Sequence, residues 1–380
     1  MKKTLLAAAL FTGLTSIAVA ETSVTLYGLL DTGIGYNRIK VEDVELKHHS
    51  LSRVGPLAGV QSGSHWGFRG VEDICDDWSA IFTIEGGVNS TDGAPKDYRL
   101  FGRQITVGIS NKFFGKIELG RQSNISSKYF STIDPFGYGF SQASIGMTMG
   151  SVNMRHDNMA LYQTPIINGI QMGLGYSFCS DTQDLPSLSD WYTSDNDRAI
   201  TVGMRYSKGG PLTLAASYDR IIGSNIRGDD AEKDLSSYML GGSYDLGSIK
   251  ISSAYSKMSN GWLGMFNAPG YKDVTAMILD RFCFRKGFHA DSYMLGMKKS
   301  INKSTNIFGS WQKVVIRDKH LPTSLLLTYG NDDQNVYSIG YTYDINKRTN
   351  LYAYGSYSTE HLFVKGAKSK SFAVGLRHRF

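Results

Sequence analysis

The chain has 380 residues, including 42 glycines and 22 tyrosines but only 8 prolines, with 40 basic against 34 acidic side chains. A formal net charge of +6 is too mild an excess to argue for nucleic acid as a partner. No apolar run after residue 20 reaches the ~18 residues of a membrane-crossing helix, and mean hydropathy is −0.22. That excludes a helical membrane protein but not one that crosses with strands, whose alternate residues face water.

Met1-Lys2-Lys3 is a charged start, Thr4 to about Leu14 an apolar stretch, and Ala18-Val19-Ala20 a small-residue cleavage site before Glu21. Residues 1–20 are therefore expected to be a cleaved signal peptide, and 21–380 a single domain. Without Lys2 and Lys3, 38 basic residues face 34 acidic ones, a net of +4.

Period-two segments follow, each with one apolar and one polar face. In Ser23–Ile34, Val24, Leu26, Leu30 and Ile34 share a face. A long polar connection runs to about Ser62. Ser64–Gly70 and Ser79–Gly86 flank a turn at Asp76-Asp77. Further segments are 104–109, 117–121, 160–165, 171–178, 200–206, 212–218, 238–244, 250–255, 292–297, 306–314, 336–343, 351–357 and 372–380. In the last, Phe372, Val374, Leu376 and Phe380 oppose Ser371, Ala373, Gly375, Arg377 and Arg379. A terminal strand that is apolar on one face and ends on an aromatic suits the closing strand of an outer-membrane barrel.

These make about sixteen strands. Short turns at Asn111–Gly115, Ile167–Gly169, Lys208–Gly210, Asp245–Gly247, Asn302-Lys303 and Asn346–Arg348 alternate with long segments such as 123–154, 180–197, 259–289 and 317–334. The expected fold is an all-β transmembrane antiparallel barrel with short periplasmic turns and long extracellular loops. Counting alone does not separate sixteen strands from eighteen. On composition alone, a secreted β-sandwich or propeller stays open. Cys179 and Cys283 fall near one rim and Cys75 near the other; a Cys179–Cys283 bridge and three unpaired thiols are both open.

Ser23-Val-Thr-Leu-Tyr-Gly28, Trp66-Gly-Phe-Arg-Gly-Val-Glu-Asp73, Phe101-Gly-Arg103, Leu119-Gly-Arg-Gln122, Asp134-Pro-Phe-Gly137, Arg155-His-Asp-Asn158 with Tyr162, and the terminal Phe380 span the chain in order. With these residues the chain resembles the general trimeric porins of Gram-negative outer membranes. The resemblance implies sixteen strands, a homotrimer in lipid and lipopolysaccharide, and a third extracellular loop folded into the lumen. It implies passage of small hydrophilic solutes and ions, with no cofactor.

Carried onto this sequence, the loop is about 123–154, with 134–137 as its tip. The constriction would take Arg121 before the loop, Arg155 after it, and Arg69 and His65 from one face of the second segment. In related porins the position matching His65 is often arginine; a histidine there makes the charge depend on pH. Between Arg121 and Arg155 stand one acid, Asp134, and one base, Lys128. The basic wall is barely answered, so the expected pore is weakly to moderately anion-selective. Glu85, expected to face the lumen, and Asp31 argue against a strong preference.

No Gly-x-Ser-x-Gly, His-Glu-x-x-His, Walker or Gly-x-Gly-x-x-Gly motif occurs. His48-His49, His156-Asp157, Asp229-Asp230 and Asp332-Asp333 read more simply as loop and rim polarity than as chemistry. The expected protein is not an enzyme. Alternatives are a substrate-specific outer-membrane channel, for which Tyr352 and Tyr354 on the lumen parity would be a start, a surface adhesin or receptor barrel, or an outer-membrane barrel enzyme.

Overall fold

A computed structural model describes residues 23–41, 49–180, 193–227, 232–263, 282–317, 332–363 and 365–380. The expected signal peptide lies outside these residues. Strands β1 (Ser23–Val41), β2 (His49–Ala58), β3 (His65–Cys75), β4 (Trp78–Gly87) and β5 (Gln104–Asn111) open the chain. Then come β6 (Gly115–Ser123), β7 (Arg155–Gln163), β8 (Ile170–Ser177), β9 (Arg198–Ser207), β10 (Leu212–Ile222) and β11 (Leu235–Asp245). The last six are β12 (Ile249–Leu263), β13 (Phe282–Ser300), β14 (Thr305–Ile316), β15 (Gln334–Asp344), β16 (Thr349–Thr359) and β17 (Lys368–Arg379).

Each strand from β3 onward pairs antiparallel with the next, β17 returns to β1, and β1 pairs with β3. The result is a closed ring of sixteen strands, in which every span has partners on both edges. The extra strand is β2. It pairs with Thr32–Val41 of β1, above the Ser23–Leu29 stretch that β3 occupies. Closure is completed by the terminal residue: Phe380 N donates to Gly28 O at 3.0 Å and Gly28 N to Phe380 O at 3.2 Å. A side chain at Gly28 would meet the Phe380 ring, with a Cβ 2.5 Å from its Cζ.

The seven turns at one end are short, and polar side chains close several of them. Asn111 Oδ1 accepts from the Phe113 and Phe114 amides, and Asn346 Oδ1 from those of Arg348 and Thr349. The opposite end carries the long connections. The two ends are called the turn end and the loop end below.

Alternation sets the faces. In β17, Phe372, Val374 and Leu376 are exposed on the outside while Ser369, Ser371 and Ala373 are buried within. Leu240, Leu295 and Ile339 continue the outer apolar band. Tyr244, Tyr343, Phe113 and Phe114 ring it near the turn end, and Tyr238, Tyr255 and Tyr337 nearer the loop end. Apolar outside with flanking aromatics is what a lipid-facing barrel surface requires.

The connection 124–154 between β6 and β7 is largely buried. Its helix α1 (Ile125–Phe130) starts at Asn124, whose side chain accepts from Ser127 N at 3.1 Å. Asn124 Nδ2 also donates to Asp219 of β10, and Ile125 N to Thr201 of β9. Farther on, Gln312 Nε2 of β14 donates to Ala143 O, while Gln142 reaches Ser356 of β16 and Ser369 of β17. Ile125, Tyr129, Phe130, Ile133, Ile145 and Met149 pack with inward Leu161, Met239 and Met294.

Candidate functional site

The stretch 59–64 between β2 and β3 leaves the ladder and is tied to buried Asp31. The Asp31 Oδ2 accepts from Ser62 N at 2.6 Å and Oδ1 from Tyr352 Oη at 2.6 Å, while Asp31 O accepts from Gly59 N. This stretch touches the 124–154 connection. Phe140 N donates to Val60 O at 2.5 Å, and a Cβ on Gly139 would lie 1.8 Å from Gln61 O, so only glycine permits the approach. Phe136 and Phe140 close the contact against Phe308, Tyr352 and Tyr354.

Two cavities lie on either side of this junction and share Gln61, Ser62 and Gly137. The loop-end cavity, about 630 Å³, is lined by His65, Lys96, Asp97, Arg103 and Arg155 among others. Arg103 pairs with Glu85, whose other oxygen accepts from Tyr27 at 2.9 Å and lies 3.9 Å from His65 Nε2. His65 Nδ1 stands 2.7 Å from Gly63 O. Enclosure, reinforced by Arg103 and Arg155 and opposed by Asp97, holds the Lys96 ammonium below its usual value. The turn-end cavity, about 540 Å³, is lined by Lys250, Lys298, Arg377 and Arg379, with Asp134 and Asp344 as its acids.

The expected constriction residues are thus divided. His65 and Arg155 share the loop-end cavity, with Glu85 behind Arg103. Arg69 shares the inward parity of His65 but sits nearer the turn end, its guanidinium 5.5 Å from the centre of the Tyr27 ring. Asp134 lies at the turn-end cavity. Its carboxylate accepts from the amides of Phe136, Tyr138 and Ile145, yet burial pushes its pKa up to about 6. Lys128, on α1, is pushed down to about 8, chiefly by burial.

Arg121 lies on the other face of its strand, though near enough to Arg155 for the two charges to repel. It pairs across the ladder with outward Ile105 and shares parity with Ile117 and Leu119. The β6–β7 register shifts here, so Asp157 meets it: Arg121 Nη1 lies 2.6 Å from Asp157 Oδ1, and Arg99 Nη1 lies 2.9 Å from Oδ2. Nε of Arg121 donates to Gly102 O. This trio borders an outer hollow of about 790 Å³ lined by Phe82, Ile84, Leu100, Ile105 and Leu119.

Lys96, Arg103, Lys250, Lys298, Arg377 and Arg379 are the residues that sequence reasoning missed. Inward parity was readable for Arg377 and Arg379; Lys250 and Lys298 meet through the β12–β13 register, and Lys96 and Arg103 through the path of the β4–β5 connection. His156 is buried with Nδ1 2.8 Å from Ser180 Oγ, and Asp157 serves the two arginines. His48, Asp229 and Asp230 lie outside the described residues, as does the Cys283 side chain and with it the question of a Cys179–Cys283 bridge. Cys75 is a free, exposed thiol beside the β3–β4 turn. Among the described residues no group of His, Cys, Asp and Glu is arranged to hold a metal ion.

A family model for Gram-negative porins matches residues 4–361. The chain is 47% identical to an outer membrane porin protein of Bordetella pertussis, over the full length of both. It is 26% identical to outer membrane porin protein 32 of Delftia acidovorans, again over both whole chains. Among solved structures, an anion-selective porin from Comamonas acidovorans superposes with a TM-score of 0.68 at 23% identity, covering 95% of this chain and all of that one. OmpF of Salmonella typhi in complex with daunomycin gives 0.64 at 14% identity, with 94% and 97% covered. The fold, the closed ring and the matched length agree: the chain belongs to the Gram-negative porin family, the β-barrel channels of the outer membrane.

Proposed function

We propose that this porin is a general diffusion channel for small hydrophilic solutes with a preference for anions, and that the 124–154 connection lies in its lumen as the constriction. The observation that carries the charge preference is the pair of basic cavities on either side of the Gln61–Ser62–Gly137 junction. In a narrow passage with low-dielectric walls, unbalanced charge selects the sign of the permeant ion. Glu85 is held by Arg103 and Tyr27 and answers Arg103 alone, and Asp31 is buried in structural hydrogen bonds, so the remaining cations outnumber the acids of the passage. The luminal position of the connection is supported by its bonds to β9, β10, β14, β16 and β17, which together span much of the ring.

No covalent step is needed. The wall excludes lipid, the junction limits size, and the cations bias charge. Family and fold point to a channel, and the absence of enzyme activity is part of this proposal. The test is insertion of refolded protein into planar bilayers. Stepwise ohmic openings are expected, and deletion of 135–147 should raise the conductance of each step. An intact barrel that never conducts would sink the channel reading; unchanged conductance after the deletion would place the connection outside the passage.

A homotrimer is proposed on the same basis. The outer hollow beside Arg99, Asp157 and Arg121 would put charge against lipid unless another protein surface covers it, and charge in hydrocarbon is costly. Light scattering in detergent should give three chains per particle; a stable monomer would contradict this.

A further inference from the structure

Four cations gather at the turn-end cavity from three strands: Lys250 from β12, Lys298 from β13, and Arg377 and Arg379 from β17. All four have inward parity, level with buried Ser252, Met294 and Ala373 on their own strands. Two of them are already positioned. Lys250 Nζ donates to Thr132 O at 2.7 Å. Arg377 Nη1 donates to Ser62 Oγ at 2.8 Å and its Nε to Asn350 Oδ1 at 3.0 Å. None of these partners is charged.

Two carboxylates border the cavity. That of Asp134 is turned into its own connection, where three amides donate to it. Asp344 remains. Among the described residues, none of the four cations stands in an ion pair. Like charges held together in a confined space repel, and an anion that enters relieves the repulsion with each of them at once. Asn306 and Thr342 add neutral hydrogen-bonding groups. The cavity adjoins Gln61, Ser62 and Gly137, so a solute crossing the junction meets it directly.

We propose that this cavity is a binding site for small multivalent oxyanions, molecules that carry two or more charges on clustered oxygens. A single charge gains little over water from lysines that are already solvated. A multivalent anion engages several cations, two of them oriented beforehand, and loses less freedom in doing so. Polycarboxylates and phosphate share the chemistry. This inference rests on the diffusion-channel reading for its place on the permeation path, but binding can be measured without conduction.

Calorimetric titration of purified full-length protein in neutral detergent would use citrate and, separately, inorganic phosphate. Saturable binding of at least one is expected. Citrate alone would mark a polycarboxylate site, and phosphate alone a site for compact tetrahedral oxyanions. The pair Lys298→Gln and Arg379→Gln should weaken binding by at least roughly tenfold. Lys96→Gln, in the loop-end cavity, should leave it within about twofold. Resistance to dissociation in cold detergent and an unchanged β-sheet dichroism would verify that the variants fold. In bilayers the bound anion should reduce the chloride current, and the double substitution should relieve that block. No binding of either anion, or equal binding by the double variant, would overturn the proposal. Anion-selective conduction without binding would overturn it while leaving the channel reading intact.

Discussion

Arg103 and Arg155 line the same cavity, and Arg103 is held there by Glu85. If they set the field at the junction, Arg103→Glu with Arg155→Glu should move the permeability ratio toward cations. Arg121→Ala should behave differently. Its guanidinium is on the outward parity with Asp157, so removing it should leave the ratio near wild type and lower the unfolding free energy by roughly 1.5–3 kcal/mol. Reversal potentials and urea unfolding of the two variants check both statements. Asp134 offers a pH test. Its folded pKa is raised from 3.8 to about 6, so the stability linked to it is complete below pH 3.8 and lost as pH rises through 6. Asp134→Asn stays neutral throughout. The variant-minus-wild-type difference in unfolding free energy should therefore become more favourable between pH 4 and pH 8, by about 1–3 kcal/mol. A flat difference would mean that the carboxylate is not buried in solution.

At the scale of the element, the decisive contact is between two connections. Gly139 lies against Gln61 O so closely that any side chain must push the 59–64 stretch and the 124–154 connection apart. Gly139→Ala is expected to raise single-channel conductance. Gly146→Ala, in the same connection, has room, with its nearest neighbour 3.5 Å from the added carbon, and should leave conductance unchanged. If both substitutions are silent, this junction does not limit flow. Strands were legible because period two survives in each of them, and turns because Asn, Asp and Gly mark them. The extra strand β2 was not legible: Gly55 and Pro56 interrupt its sequence, and it lies within a stretch that reads as a polar loop. Arg121 reads differently in the fold for a local reason. Its place after Leu119-Gly120 suggested a constriction, but parity with Ile117 and Leu119 puts it on the other face.

At the scale of the molecule, closure converts scattered residues into one site. Lys250 and Lys298 face each other across the β12–β13 ladder, and Arg377 reaches the same cavity from β17, which the curvature of the ring turns toward them. No spacing rule within a single sequence reports that. Closure also explains why the chain can tolerate long connections at one end: each strand of the wall is hydrogen-bonded to a neighbour on both edges, so the wall does not depend on them. With both cavities basic, the whole passage should favour anions. The most direct test is the zero-current potential of wild-type channels in a planar bilayer under a potassium chloride gradient. A potential of the sign set by chloride is expected, displaced toward zero by the Arg103→Glu and Arg155→Glu pair. A wild-type potential of the sign set by potassium would contradict it.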